Sequence, residues 1–417
     1  MEHNYPSRAR WKPAALGILA LFGLSATASA EALRIAYIEP VSGNFQVMGN
    51  AFAEGLRYGV EKINENGGFN GHPVVLTEYD NASQGNLVVE RVKQALNNGE
   101  RIIVSGSVSA FGAMMTDEVK KHNQRNPGKE VIYYNVGSGS LDLVAEKCHR
   151  YAFKFAANGW VFYSVAAQGM HELGALGDRV YLINPNYSFG QDAEKGQREA
   201  VEKLGGSIVG SDFVELGKTG DFSPYVAKIK AADATSILTS MFEKDLALFV
   251  KAKTELGLDI PLASQSLDSP GLIDSIGSGA VGSFLPKNWV RGAGGENAKE
   301  FETDFAAKIG HPPAYENATA AFPMMFLGEA LKSLDANGGP IDIDAVAKAI
   351  ENATWQSPIG EWKMRAEDHQ NIQPFVLAMV TDEPEYATEG TRLGFKPVKI
   401  IPTGEATLPP SPACQMN

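Results

Sequence analysis

Two loops carry the residues in this chain whose types and spacing could do chemistry. In Arg101-Ile-Ile-Val-Ser-Gly-Ser-Val-Ser109-Ala-Phe-Gly112 a short apolar run passes through small hydroxyl residues into a helical pattern that continues to His122. This reads as strand, loop, helix. Ser109 stands where an N-cap falls, and the amides behind it would point out of the helix N-terminus. Such a terminus attracts anions through its free N–H groups and its dipole. The same spacing also describes an ordinary capped helix. A second turn of the same kind, Tyr133-Tyr-Asn-Val-Gly-Ser-Gly-Ser140, supplies Gly137, Ser138 and Gly139 and favours a binding site. In open α/β sheets ligands collect at the carboxyl ends of strands, where both turns would lie. The chemistry implied is the holding of an anion, with no bond made or broken.

Patterns for catalysis or cofactors are weak. Gly277-Ser-Gly-Ala-Val-Gly282 matches the dinucleotide-binding spacing but follows a helix-like segment, whereas the motif needs a strand before it. The loop at Ser109 lacks the Gly-x-Ser-x-Gly elbow of hydrolases. The seven histidines form no metal spacing, His171-Glu172 lacks a second histidine, and Cys148-His149 is a lone pair in a loop. No enzyme, cofactor or metal is expected. Aromatic residues at element junctions are more informative: Phe45, Tyr187, Phe189, Phe242 and Tyr315. Any one of them could be core. Together with the serine turns they could line one cleft, apolar with a few polar anchors, that suits a small organic carboxylate.

The elements that must position these residues alternate along the chain. Leu33–Ile38 is a strand, Ala51–Asn66 a helix with Phe52, Leu56, Val60 and Ile63 on one face, His72–Tyr79 a strand and Asn86–Asn98 a helix. The organising strand and helix follow, then a strand at Glu130–Tyr134. The pattern restarts with a helix at Trp160–Leu173 and strands at Arg179–Asn184, Ser207–Glu215, Ser236–Ser240 and Leu262-Ala263. Alternating strands and helices argue a parallel α/β sheet, here one doubly wound unit repeated, hence two facing lobes. Later helices at Glu296–Ile309, Glu316–Ala336 and Ile343–Asn352, and strands at Gly360–Arg365 and Gln373–Val380, extend neither lobe simply.

Residues 1–30 read as a secretory signal peptide, with Arg8, Arg10 and Lys12 before an apolar stretch and Ala28-Ser-Ala30 as the cleavage site. The apolar run is too short to span a membrane. The chain has 417 residues and a net charge of −12, so nucleic acid and anionic membrane surfaces are not expected partners. Two cysteines, Cys148 and Cys414, could pair in an oxidising compartment and tie the Pro-rich tail to the body, although spacing alone does not establish it.

With these residues in place, the chain resembles the periplasmic solute-binding proteins of ABC importers, specifically the leucine/isoleucine/valine-binding family. The likeness covers nearly all of the chain after the leader. It rests on Ile38-Glu-Pro-Val-Ser-Gly43 with Gly49, Ile63-Asn-Glu-Asn-Gly-Gly68, Tyr79-Asp80, Val104-Ser-Gly106 with Ser109, Tyr187-Ser-Phe-Gly190 and Asp221-Phe-Ser-Pro-Tyr225-Val-Ala-Lys-Ile229. The resemblance implies two Rossmann-like lobes joined by three crossovers, near Phe153–Ala157, Leu285–Asn288 and Ser357–Gly360, that close over a ligand. Lobe 1 is then residues 31–153 with 287–357, and lobe 2 residues 154–286 with 358–417. It also implies that Ser109, backed by Gly137 and Gly139, holds the ligand carboxylate, that Phe242 and Phe189 wall the site, and that Met48 stands where the family has a tyrosine. The family's acid for the ligand ammonium falls on Ser266. Either Asp268 or Glu243 then replaces it, or the ligand is an aromatic acid lacking the amine. The implied role is a monomer in the periplasm that passes a small carboxylate to an ABC permease in the inner membrane. A sensor reporting occupancy to a membrane receptor would share the same fold and pocket.

Overall fold

The computed structural model describes residues 32–334, 341–388 and 390–416, so the leader expected over residues 1–30 lies outside the described residues. Strands β1 (Arg34–Glu39), β2 (Val75–Asp80), β3 (Ile102–Ser105), β4 (Ile132–Asn135) and β5 (Ala152–Lys154) form a parallel sheet in the order β2-β1-β3-β4-β5. Helices α1 (Gln46–Glu65), α2 (Gly85–Asn97) and α3 (Ser109–Arg125) connect successive strands. Every residue of β3 and β4 is buried, because helices cover both faces of a parallel sheet. Helix α1 begins five residues before the sequence pattern predicts. No side chain caps it, and its first turn exposes Val47 and Met48, so neither start signal was present to read.

The same winding repeats. After β5 come α4 (Gly159–Glu172), β6 (Arg179–Pro185), α5 (Ser188–Lys203), β7 (Ser207–Val214), α6 (Ser223–Ala231), β8 (Ser236–Thr239), α7 (Glu243–Glu255), β9 (Leu262–Ala263), α8 (Leu272–Ile276) and β10 (Phe284–Lys287). These five strands run parallel in the order β7-β6-β8-β9-β10. The chain then returns to the first sheet through α9 (Glu296–Ile309), α10 (Tyr315–Lys332) and α11 (Ile343–Asn352). Helix α10 packs against α1 at very short range. A Cβ at Gly55 would lie 2.1 Å from the Asn317 carbonyl oxygen, and one at Gly59 2.4 Å from Met324 Cβ, so only glycine permits this contact.

A small antiparallel sheet, β11 (Thr354–Ser357), β12 (Gly360–Met364) and β13 (Asn371–Ile372), follows. Its Trp355 and Trp362 rings pack on Phe322 of α10 at 5.6 and 5.9 Å, which joins this sheet to the first lobe. Ser357 and Gly360, expected at a crossover, instead pair across the turn between β11 and β12. Residues 358–372 are expected in the second lobe, yet Trp362, His369 and Gln370 contact Phe155, Phe153 and Lys154 at the edge of the first sheet. Finally β14 (Phe375–Thr381) and β15 (Gly394–Ile401) add antiparallel to β10. Strand β15 escaped the sequence reading because it is a half-exposed edge strand interrupted by Pro397. From β15 the tail runs back to the first lobe, where Cys414 is bonded to Cys148 with 5.4 Å between their Cα atoms.

Candidate ligand-binding cleft

Two side chains that the sequence reading passed over shape the serine loops. Glu39, at the carboxyl end of β1, is fully buried. Its Oε1 accepts the amides of Gly106 (2.6 Å) and Ser107 (3.0 Å), and its Oε2 accepts the Ser107 hydroxyl. Burial lifts the Glu39 carboxyl to about 7 against the pull of the hydrogen bonds from Ser107 and Gly106. In the neighbouring loop Asn135 Oδ1 accepts the amides of Gly137 (3.2 Å) and Ser138 (2.8 Å), while its Nδ2 donates to the Ser138 carbonyl at 2.8 Å. The two loops touch. A Cβ at Gly137 would lie 2.5 Å from the Gly106 carbonyl oxygen, so glycine is required for the contact.

Ser109 is the first residue of α3, with Val108 in the N-cap position and no side-chain cap. The expected capping role is therefore not used, and Ser109 lines the space between the lobes. The Phe111 and Gly112 amides donate to the Val108 carbonyl at 2.9 and 3.0 Å, so only the Ser109 and Ala110 amides stand before the first helical bonds. That space is a cleft of about 620 Å³. From the first lobe it is lined by Ser109, Gly137, Gly139, Ser140, Tyr315 and Thr319, and from the second by Trp160, Phe162, Phe189 and Gln265. Asn288, from the second crossover, closes its floor, and Leu408 of the tail reaches its edge.

Of the residues predicted for the site, Ser109, Gly137, Gly139, Phe189 and Tyr315 meet here. Ser138 does not, because the Asn135 clamp turns its side chain into the protein, where it is buried. Tyr187 stacks on Phe189 with centroids 5.9 Å apart and backs the wall from outside. Met48 lies on the first turn of α1, exposed and away from the cleft lining. Phe242 occupies the N-cap position of α7 and also lies off the lining. Ser266 is drawn into the turn after β9, its amide donating to Ser264 Oγ at 3.2 Å, and Gln265 takes the place in the cleft expected for it. Asp268 is not a free countercharge, since its carboxylate pairs with Lys287 at 3.0 Å. The Lys287 ammonium also sits 3.8 Å from the centroid of the Tyr315 ring, a cation–π contact. Burial pushes that ammonium down, but Asp268, Tyr315 and Glu316 outweigh burial and hold it above the ordinary lysine value.

The residues missed were Glu39, Asn135, Gln265 and Asn288. Gln265 Oε1 and Asn288 Oδ1 are both buried and accept no hydrogen bond from the protein. The crossovers behind them are joined by amides. Gln370 Nε2 donates to the Lys154 and Ala156 carbonyls, both at 3.2 Å, and Lys154 Nζ donates to Gln370 Oε1 at 3.1 Å. Burial lowers the Lys154 ammonium to about 7, although Asp368 and Asp142 pull it up. The Gly277–Gly282 stretch follows α8 and begins as a 3₁₀ turn, with no preceding strand. Among the described residues no group of three or more His, Cys, Asp or Glu could hold a metal, and no helix is long and apolar enough to cross a membrane.

Two similarly wound α/β lobes, three crossovers and a polar-anchored cleft between them define a bilobal binding protein. Residues 32–385 match the family model described as periplasmic binding protein, and the chain belongs to that family. It is 39% identical over 403 residues to the Leu/Ile/Val-binding protein homolog 4 of Brucella melitensis, covering 97% of both chains. A leucine-, isoleucine-, valine-, threonine- and alanine-binding protein from Brucella ovis, solved in a closed conformation, aligns with a TM-score of 0.88 at 38% identity, covering 93% of this chain and 100% of that one. A solute-binding protein of an ABC transporter from R. palustris, in complex with benzoate, shares the fold at 17% identity and a TM-score of 0.67, covering 90% of this chain and 99% of that one.

Proposed function

We propose that this periplasmic binding protein captures a hydrophobic α-amino acid of the branched-chain class between its lobes and delivers it to an ABC permease in the inner membrane. The observation that carries this reading is one cleft lined by Ser109 at the N-terminus of α3 with Gly137 and Gly139 on the first lobe and by Phe162 and Phe189 on the second. Hydroxyl and helix amides suit a carboxylate, and Phe162 and Phe189 offer an apolar wall for a hydrophobic side chain. The leucine, isoleucine and valine in the names of the Brucella relatives support the same class.

The first lobe in this reading comprises residues 32–153 and 289–372, the second residues 158–285 and 375–416, and the short segments between them are the crossovers. The protein acts as an exported monomer, with residues 1–30 as its leader, and has no chemistry of its own and no nucleic-acid partner. The Cys148–Cys414 bond suits an oxidising compartment. Calorimetric titration tests the site. Ser109→Ala should weaken leucine binding by about 1–3 kcal/mol if the hydroxyl holds a buried carboxylate. Unchanged affinity would remove Ser109 from the site.

A further inference from the structure

The tail after β15 borders the ligand space as well as the hinge. Leu408 lines the cleft of about 620 Å³ between the lobes and also a neighbouring cavity of about 270 Å³. Leu141, Ala157 and Asn158 line both as well, so the two spaces adjoin at these four residues. Ala157 offers only a methyl group, and Asn158 is engaged as the cap of α4, its Oδ1 accepting the Val161 amide at 3.0 Å. The apolar side chains at the junction are therefore those of Leu141 and Leu408. Beyond them the smaller cavity is walled by Val144, Val161, Ile372 and Phe375.

Tail residues are ordinarily the least constrained in a chain. Leu408 is constrained from three directions. Just before it, Ala406 is buried in a cluster with Ala157, Val161 and Phe375. The Leu408 carbonyl accepts from Arg365 Nη1, and Asp368 holds that guanidinium through two hydrogen bonds at 2.8 and 2.6 Å. Further on, Cys414 is bonded to Cys148, which follows the turn that supplies Leu141 and Val144.

We infer that Leu408, pinned by the tail disulfide, divides the ligand cleft from an apolar side compartment and so limits the length of the ligand side chain that the site admits. This deepens the reading proposed above and rests on it. The segment assigned to the carboxylate runs from Gly139 into Leu141, a step that spans at most about 7 Å, so a ligand anchored there lies within a side chain's reach of the divider. Leucine stops short of it. A longer unbranched chain must displace Leu408 or fold back on itself, and either costs affinity. Removing the Leu408 side chain joins the two spaces and lets each further methylene be buried, worth about fourfold in affinity. Cutting the disulfide frees Leu408 to move and acts in the same direction.

The test is calorimetry on ligand-free protein with leucine and the unbranched L-amino acids norvaline, norleucine, 2-aminoheptanoate and 2-aminooctanoate. In wild type the affinity should stop rising at norleucine. In Leu408→Ala the ratio of 2-aminooctanoate to norleucine affinity should rise by about tenfold, and in the double variant Cys148→Ser, Cys414→Ser it should rise as well. A cooperative thermal transition shows that each variant is folded, and a general loss of affinity does not move the ratio. A wild-type profile that goes on rising to 2-aminooctanoate, or the same ratio in wild type and Leu408→Ala, overturns the inference while leaving the amino-acid reading intact. A wild-type ratio in the double variant overturns the part assigned to the disulfide. Wild type that binds neither leucine nor any of the series overturns the reading and the inference together.

Discussion

Ser109, Phe189 and Tyr315 were legible because each sits at an element end whose pattern the sequence states: a hydroxyl before a helical run, an aromatic opening α5 and another opening α10. Gln265 and Asn288 were not. The strand before Gln265 has two residues, too few for period-2 alternation to say which side chain of the next loop faces the cleft. Asn288 owes its orientation to Gln373, 85 residues away, and no local pattern carries that. Glu39 was hidden for another reason: a glutamate ending a strand ordinarily reads as solvated, whereas this one is buried under the loop that it holds. Its carboxyl, raised from 4.5 to about 7, favours the protonated form in the folded state. The associated stability is therefore present below about pH 4.5 and lost as pH rises through about 7, a change on the order of 3 kcal/mol. Glu39→Gln keeps an acceptor for Gly106 and Ser107 and removes the titration. Its stability relative to wild type should rise between pH 5 and pH 8, read from denaturant midpoints at the two values. Parallel profiles would mean that the carboxylate is ionised in place at little cost.

At the scale of elements, strand and helix order through β9 follows from alternation except for β5, whose three residues are too few to show a pattern; β10 reads as a crossover in sequence, and further departures follow it. The hairpin of β11 and β12 reads as a hinge in sequence, because a Ser-Pro-Ile-Gly turn between lobes and one inside a hairpin look alike there. Trp355 and Trp362 decide the matter by packing on Phe322. The tail is the other departure. Between β15 and Cys414 it crosses the hinge region: Gln168 donates to Glu405 at 2.9 Å, Arg365 donates to the Leu408 carbonyl, and the disulfide ends on the first lobe. It covers a cavity of about 270 Å³ lined by Leu141, Val161, Phe375 and Leu408, among others. A cross-link between residues 266 apart restricts the unfolded chain. Cys414→Ser should lower stability by about 2–4 kcal/mol, measured as a shift in denaturant midpoint without reductant. No shift would mean that the tail is held by its other contacts alone.

The whole molecule is two windings of one doubly wound unit facing each other, with the residues that line the cleft divided between them: Ser109 and Tyr315 on the first lobe, Phe189 and Gln265 on the second, Asn288 between. A ligand that satisfies both sides favours the closed arrangement by its differential contacts and nothing else. The sequence made this architecture readable, since each half carries its own strand–helix alternation. It left the ligand class open between an amino acid and an aromatic acid, because no local pattern states which side chains tertiary structure brings to the cleft. The most direct test of the account is a thermal-shift titration of ligand-free protein with leucine, isoleucine, valine and benzoate. At 100 times its dissociation constant a bound ligand adds about 2.7 kcal/mol and raises the melting temperature visibly. The account predicts that the branched-chain amino acids shift the transition and benzoate does not. A shift with benzoate and none with the amino acids would contradict it.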